Sequence, residues 1–332
     1  MHTKISPRPQ RRVSPPRVLL LGLLIGLVLA GCGGVDTVDE ATGTASPAGD
    51  QFPVTVESGP QGAGTDITLD AEPVSIVSLS PTATEMLWAV DAGDQVVAVD
   101  DQSDYPEDAP RTKLSGYEPN VEAILEYEPD LVVAADDTGD LVANLEKARV
   151  PTLLLPAVDD LEGVYEQMER VGVATGNSDE AAAAVSEMKD GIEQALADAP
   201  DAEGVTYFHE LTPDLYTAAS GTFIGEIYGL FGLENIADES RSRDEYPQLS
   251  QEYVVQADPD LVFLADGQCC DVSVTDVGER PGWAQMSAVA DGQVHVVDED
   301  VASRWGPRML DFVQQVSRIL DERETALAGS AG

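Results

Sequence analysis

Positive charge is what this 332-residue chain most lacks. Eighteen Lys and Arg stand against 61 Asp and Glu, a formal net charge of −43. Without a basic footprint for phosphate, nucleic acid is excluded as a partner. Histidine is almost as scarce, at three residues. Past the N-terminal segment only His209 and His295 remain, too few for a cluster that captures a bare zinc or manganese ion. There is no Gly-x-Ser-x-Gly elbow, no phosphate-binding loop and no His-rich metal motif, so nothing points to an enzyme. Three cysteines complete the shortages: Cys32, and the adjacent pair Cys269 and Cys270.

The one long apolar run lies at the start. Residues 8–17 are basic, 18–30 (VLLLGLLIGLVLA) are unbroken apolar, and Gly31-Cys32 follows. This is the order of an export signal, and the run is too short to span a bilayer comfortably. Leu29-Ala30-Gly31-Cys32 resembles a bacterial lipobox, which implies cleavage before Cys32 and lipid on its thiol; an ordinary signal with an incidental cysteine is the alternative. Arg11-Arg12 leaves the twin-arginine route open beside the general one. Loss of residues 1–31 removes five cations and no anion, taking the balance from −43 to −48. Such acidity keeps a chain soluble and monomeric and favours cationic over anionic partners. In an oxidising compartment Cys269 and Cys270 form a vicinal disulfide or remain two thiols, and the setting favours the bond.

Hydrophobic residues make up 43% of the chain, and its length suits two domains. Segment 32–51 is small, polar and acidic, and reads as a flexible tether. Two alternating stretches around the Gly-rich SGPQGAG, within 52–72, predict a hairpin. Short Val/Leu/Ile strands then alternate with helices: strands at 74–79, 95–99, 130–134 and 152–155, helices at 82–90, 121–127 and 141–148. Near-continuous apolar strands between helices imply parallel sheets covered on both faces. A long helical stretch, 160–199, is interrupted at Asn177-Ser178, and its second part reads as a rigid connector. The plan then repeats, with strands at 205–209, 260–265 and 294–297 and helices at 222–231, 252–256 and 307–321. The expected organisation is a signal peptide 1–31, tether 32–51, N-terminal lobe with leading hairpin 52–156, connecting helical segment 157–202, C-terminal lobe 203–325 and tail 326–332.

A repeat supports the two lobes. NVEAILEYEPDLV (120–132) and SQEYVVQADPDLV (250–262) align at a constant offset of 130. In each, a capping residue (Asn120, Ser250) precedes a glutamate (Glu122, Glu252), and Pro-Asp-Leu-Val follows. A repeat this long suggests two similar lobes rather than one core. A fainter echo pairs SPTATEMLWAV with SGTFIGEIYGLF and aligns Glu85 with Glu226, where helix packing or capping is expected.

These segments, with SDYPEDA and RWGPRMLDF, resemble the substrate-binding lipoproteins of bacterial ABC importers for ferric siderophores and cobalamin, over about residues 73–325. The resemblance implies an α/β fold of two Rossmann-like lobes with parallel sheets, joined by a single long helix, with the ligand in the cleft. It implies a partner permease dimer with its ATPase, a monomeric receptor, and no cofactor beyond the bound chelate. Glu122 and Glu252 match the family's two permease-docking glutamates, whose carboxylates meet arginines; a glutamate in a first helical turn also complements the helix dipole without further role. Cleft contacts are expected at loops following strands: Ser80, Thr82, Gln102, Tyr105, Tyr117, Tyr246, Asp300, Arg304 and Trp305, with Arg304 and Trp305 starting the final helix. Such aromatics and an arginine suit a large, planar, partly anionic ligand, although each ring equally suits rim packing. Gln102 and Ala135 stand where some cobalamin-binding members carry aromatics, which weakens that ligand against a siderophore. Haem would need an axial ligand from His209 or a cleft tyrosine. Trp88 and Trp283 are expected to pack in the core and in a turn.

Overall fold

The computed structural model describes residues 51–240 and 242–330. The expected signal peptide, the expected lipidation site Cys32 and the expected tether up to Asp50 lie outside the described residues. The hairpin expected near the start is present as antiparallel β1 (Val54–Ser58) and β2 (Thr65–Leu69). It belongs to the folded body: Val56 and Leu69 are buried, and Ser58 Oγ donates to Thr152 O and accepts from Leu154 N.

Two parallel sheets follow. In chain order the first contributes β3 (Ile76–Leu79), β4 (Val96–Asp100), β5 (Arg111–Leu114), β6 (Leu131–Ala134) and β7 (Thr152–Leu154), arranged β5-β4-β3-β6-β7. The second contributes β8 (Thr206–Glu210), β9 (Glu234–Asn235), β10 (Leu261–Leu264) and β11 (Val294–Val296), arranged β11-β10-β8-β9. Every pairing within these sheets is parallel. Strands β3, β6 and β10 are buried along their whole length, which is why they read as unbroken apolar runs. Sequence reading missed β5 and β9: RTKL and EN are polar edge strands with no apolar run to find.

Helices α1 (Pro81–Ala89), α2 (Val121–Leu125), α3 (Leu141–Lys147), α4 (Leu161–Thr175), α5 (Ser178–Asp198), α6 (Phe223–Gly229) and α7 (Gln251–Ala257) fall near their expected places. The 160–199 stretch is two helices, broken at Gly176, whose φ of 83° only glycine adopts without cost. The chain passes from β7 through α4 and the 21-residue α5, about 32 Å long at 1.5 Å per residue, into β8 of the second sheet. Short helices not foreseen fill 267–303: α8 (Gly267–Cys270), α9 (Val274–Glu279), α10 (Ser287–Ala290) and α11 (Glu299–Ser303). The closing helix, α12, starts at Met309 rather than Pro307 and continues to Ser330, through most of the segment expected as a tail.

The two lobes are present, each with its own parallel sheet, and they share part of their core. The outer faces of the sheets have separate cores, one around Val77, Ala98 and Ile124 and one around Phe208, Val262 and Trp283. Their inner faces share a third. Ile76, Val99 and Val133 of the first sheet join Tyr207, Leu261 and Phe263 of the second through α1, α4, α5, α6 and α12 in one continuous buried cluster. Each fully buried Leu, Ile, Val or Phe there contributes roughly 1.5–3 kcal/mol, so this shared cluster stabilises the packing of the two halves.

The repeat is also a repeat of backbone. Asn120 Oδ1 accepts from Ala123 N at 3.1 Å and Ser250 Oγ from Tyr253 N at 3.2 Å, capping α2 and α7. Glu128 and Asp258, one copy apart, both take the left-handed conformation, at φ 50° and 49°. The aspartate of each Pro-Asp-Leu-Val then ties down a neighbouring strand: Asp130 accepts from Val74 N and Ser75 N before β3, and Asp260 from Thr206 N and Oγ1 at the start of β8.

Candidate functional site

The C-terminal ends of the first sheet build one wall of a cavity of about 390 Å³. Strand β3 passes into α1 through Ser80, whose hydroxyl accepts from Ala83 N at 3.3 Å, with Pro81 at the first helical position. Asp100 ends β4; its carboxylate accepts from Ser103 N at 3.0 Å and so folds back the loop carrying Gln102 and Asp104. Gly116 follows β5 where a Cβ would collide with Leu79 O, so only glycine lets the Tyr117 loop lie against the end of β3. Beneath these loops Thr84 Oγ1 donates to Ser78 Oγ at 2.8 Å and lies 2.9 Å from Ser103 Oγ, a buried hydroxyl chain that fixes the turn.

The opposite wall comes from the second half, at α11 and the residues after it. Glu299, Asp300, Ser303, Arg304 and Trp305 face Ser80, Thr82, Gln102 and Tyr117 across the space. Seven of the nine expected cleft residues thus meet at one cavity. Tyr117 stands on it 80% exposed, a large ring with little protein around it. The indole N–H of Trp305 is buried and has no hydrogen-bond partner among the described residues.

Two expected contacts lie elsewhere. Tyr105 is outside the lining; its ring carries the Arg308 guanidinium, 4.3 Å from the centroid. Tyr246 is half-exposed in the second half, its phenol pushed up by burial and by the nearby Glu245 and Asp159 carboxylates. Tyr117 is the tyrosine among the described residues of the cavity lining. His209 is fully buried on β8 with Nδ1 2.8 Å from the Tyr228 hydroxyl, and burial lowers it to about 3.

Arg304 also departs from expectation. It caps α11 rather than starting the final helix. Its guanidinium is already held by Glu85 Oε1 at 3.0 Å, Asp104 Oδ1 at 3.1 Å and Asp300 Oδ1 at 2.7 Å. Glu85, 3% exposed, also accepts from Arg308 Nε at 3.0 Å and Nη2 at 2.6 Å. This carboxylate on α1 therefore ties the first half to the chain between α11 and α12. Its partner in the faint echo, Glu226, accepts from Leu161 N at 3.0 Å, at the start of α4.

Three of the cavity's charges were not foreseen: Asp100, Asp136 and Glu299 line it beside the expected Asp300 and Arg304, and Arg304 is the single cation among the described lining residues. Burial pushes Asp100 up from the ordinary carboxylate range, opposed by its hydrogen bonds from Ser103. A larger furrow of about 650 Å³ runs between α5 and α12, past Gln194, Asp198 and Glu322, away from the strand ends and without an aromatic ring.

Two further features lie on the second half. Cys269 and Cys270, exposed at the end of α8, are paired as a vicinal disulfide. Cys269 N donates to Glu299 Oε2 at 3.0 Å, which joins this turn to the cavity wall. Deeper in, Glu210 at the end of β8 takes a bidentate contact from Arg280, both distances 2.6 Å, and Arg280 stacks 4.6 Å from the Trp283 ring. Asp266 is fully buried at the end of β10, and neither of its carboxylate oxygens has a hydrogen-bond partner within normal geometry among the described residues; burial and then the adjacent Glu210 push it up to about 7. Glu122 and Glu252 are exposed in the first turns of α2 and α7, and neither makes an ion pair or side-chain hydrogen bond among the described residues.

Residues 76–301 match the family model described as periplasmic binding protein. The chain is 31% identical over 306 residues to the uncharacterized ABC transporter substrate-binding lipoprotein YvrC of Bacillus subtilis (strain 168), covering 89% of this chain and 93% of that one. It is 39% identical over 272 residues to a cobalamin-binding protein of Halobacterium salinarum, covering 78% and 72%. Among solved structures, the periplasmic vitamin B12 binding protein BtuF of Vibrio cholerae superposes with a TM-score of 0.64 at 27% identity, over 76% of this chain and 98% of that one.

Proposed function

We infer the function from one premise: the chain belongs to the periplasmic binding protein family. We propose that it is a lipid-anchored extracytoplasmic receptor that binds a large metal chelate, a corrinoid or a ferric siderophore, and delivers it to an ABC permease. The observation that carries this reading is the cavity itself, set at the C-terminal ends of a parallel sheet where such folds bind ligands and closed by α11 from the other half. Tyr117, Trp305 and Gln102 offer it two rings and an amide. At about 390 Å³ the cavity encloses part of a large chelate, and the exposed Tyr117 ring flanks what protrudes. The relative named for cobalamin favours a corrinoid, against the weaker aromatic content of these loops.

Glu122 and Glu252, displayed on matching helices and without a side-chain partner among the described residues, are the proposed docking points for permease arginines. The motif Leu29–Cys32 and the lipoprotein relative support anchoring through Cys32. Isothermal titration calorimetry of the protein lacking residues 1–31, against cyanocobalamin, haem and several ferric siderophores, tests the receptor reading. Saturable binding of a corrinoid or siderophore at micromolar or tighter Kd is expected. Binding of none, or of haem alone, would sink the reading.

A further inference from the structure

We propose that the cavity selects by charge, accepting neutral or cationic chelates and rejecting anionic ones; this rests on the receptor reading above. A guanidinium at a cleft normally signals an anionic ligand. Here that cation is not available. Arg304 donates to three carboxylates, Glu85, Asp104 and Asp300, within 3.1 Å. The first of these is almost completely buried and shared with Arg308, so the group is fixed by the packing between the halves.

An anion entering the cavity would have to compete with all three carboxylates for one guanidinium, and displacing Glu85 would leave a buried carboxylate with Arg308 as its remaining partner. It would also meet Asp136 and Glu299 on the cavity lining. Asp136 makes no ion pair among the described residues, and Glu299 receives only the Cys269 amide, so neither negative charge is cancelled by a side-chain cation. The field at the mouth is therefore negative, and it is reinforced by the surplus of carboxylates over the whole chain. A ligand rich in amide N–H donors, or carrying an ammonium or a net positive metal centre, meets acceptors on both walls. Rejection is built from placed like charges, and does not depend on shape.

Two series of probes isolate charge from shape. The first is ferrioxamine B with its free ammonium, its N-acetyl derivative and its N-succinyl derivative, which share one iron core and run from cation to anion. The second is aquocobalamin, cyanocobalamin and cyanocobalamin with side-chain amides hydrolysed to carboxylates. Calorimetric Kd values are measured in both series at low and high salt, for the wild-type chain and for Asp136→Asn combined with Glu299→Gln. In whichever series binds, affinity is expected to fall about tenfold for each added carboxylate at low salt. The double variant should narrow that gap several-fold. Equal or tighter binding of the anionic member would overturn charge selection and leave the receptor reading intact. So would a gap that the double variant does not change. Absence of binding in both series would overturn both.

Discussion

Glu85→Ala removes the carboxylate that joins the two halves beside the cavity. Three guanidinium N–H donors lose their acceptor, one from Arg304 and two from Arg308. Three charge-assisted bonds at about 1.5–3 kcal/mol each would give an unrealistic sum. Arg304 keeps Asp104 and Asp300, so little of the loss falls there. Among the described residues Arg308 has no second carboxylate within ion-pair distance, and its side chain is 17% exposed, enough for water to reach it. The expected cost is about 3 kcal/mol, at the low end for a broken buried pair. For a body of this size that lowers Tm by roughly 6–12 °C. Glu85→Gln keeps the volume and one acceptor and should cost about 1–2 kcal/mol. Calorimetric or circular-dichroism melts of both variants, with a double-mutant cycle against Arg308→Ala, measure the coupling directly. The reasoning fails if Glu85→Ala melts within 2 °C of wild type, because the arginines would then be rehydrating at no cost.

The remaining predictions concern titration, thiols and docking. Asp266 holds a proton in the folded state up to about pH 7 but loses it near 4 when unfolded, so its contribution to stability declines as pH rises between those values. Subtracting the melting curves of Asp266→Asn from wild type should reveal that decline, and a flat difference would refute it. His209, lowered to about 3, acts in the opposite sense, so stability falls as pH drops below 6.5; melts of His209→Gln should lack that acid-side loss. Thiol titration of the unreduced chain lacking residues 1–32 should find no free thiol, and two after a dithiol reductant; two before reduction would mean that Cys269 and Cys270 are unpaired. Glu122→Ala with Glu252→Ala should abolish uptake while leaving the ligand Kd unchanged, and a matching loss of affinity would refute the docking role.

Much of the fold was legible because its evidence is local. Four-residue runs such as LVVA and LVFL have to be buried on both faces, and Asn120 and Ser250 announce the helices they cap. The 130-residue offset carried the equivalence of the halves, down to the left-handed Glu128 and Asp258. The edge strands β5 and β9 escaped because polar edges carry no apolar signal. The short helices of 267–303 escaped because a helix of four to six residues shows no periodicity to read. The shared inner core was hidden for a different reason: a repeat reports on similar units, not on how they pack. Arg304 shows the limit most directly. Its place at the cleft followed from the motif, but its partner Glu85 lies 219 residues earlier in the chain, so only the assembled fold shows that its charge is already matched.

The distribution of indole rings gives the molecule a built-in optical readout. Trp283 is sealed beneath Arg280 in the second half, and Trp88 lies at the far end of α1 against Gly93. Trp305 alone of the three forms part of the cavity wall. A coloured chelate seated there would quench one emitter by contact and the other two only by longer-range energy transfer. Replacing Trp305 by Phe should therefore remove the steepest component of the quenching and leave two emitters that report on the integrity of the fold.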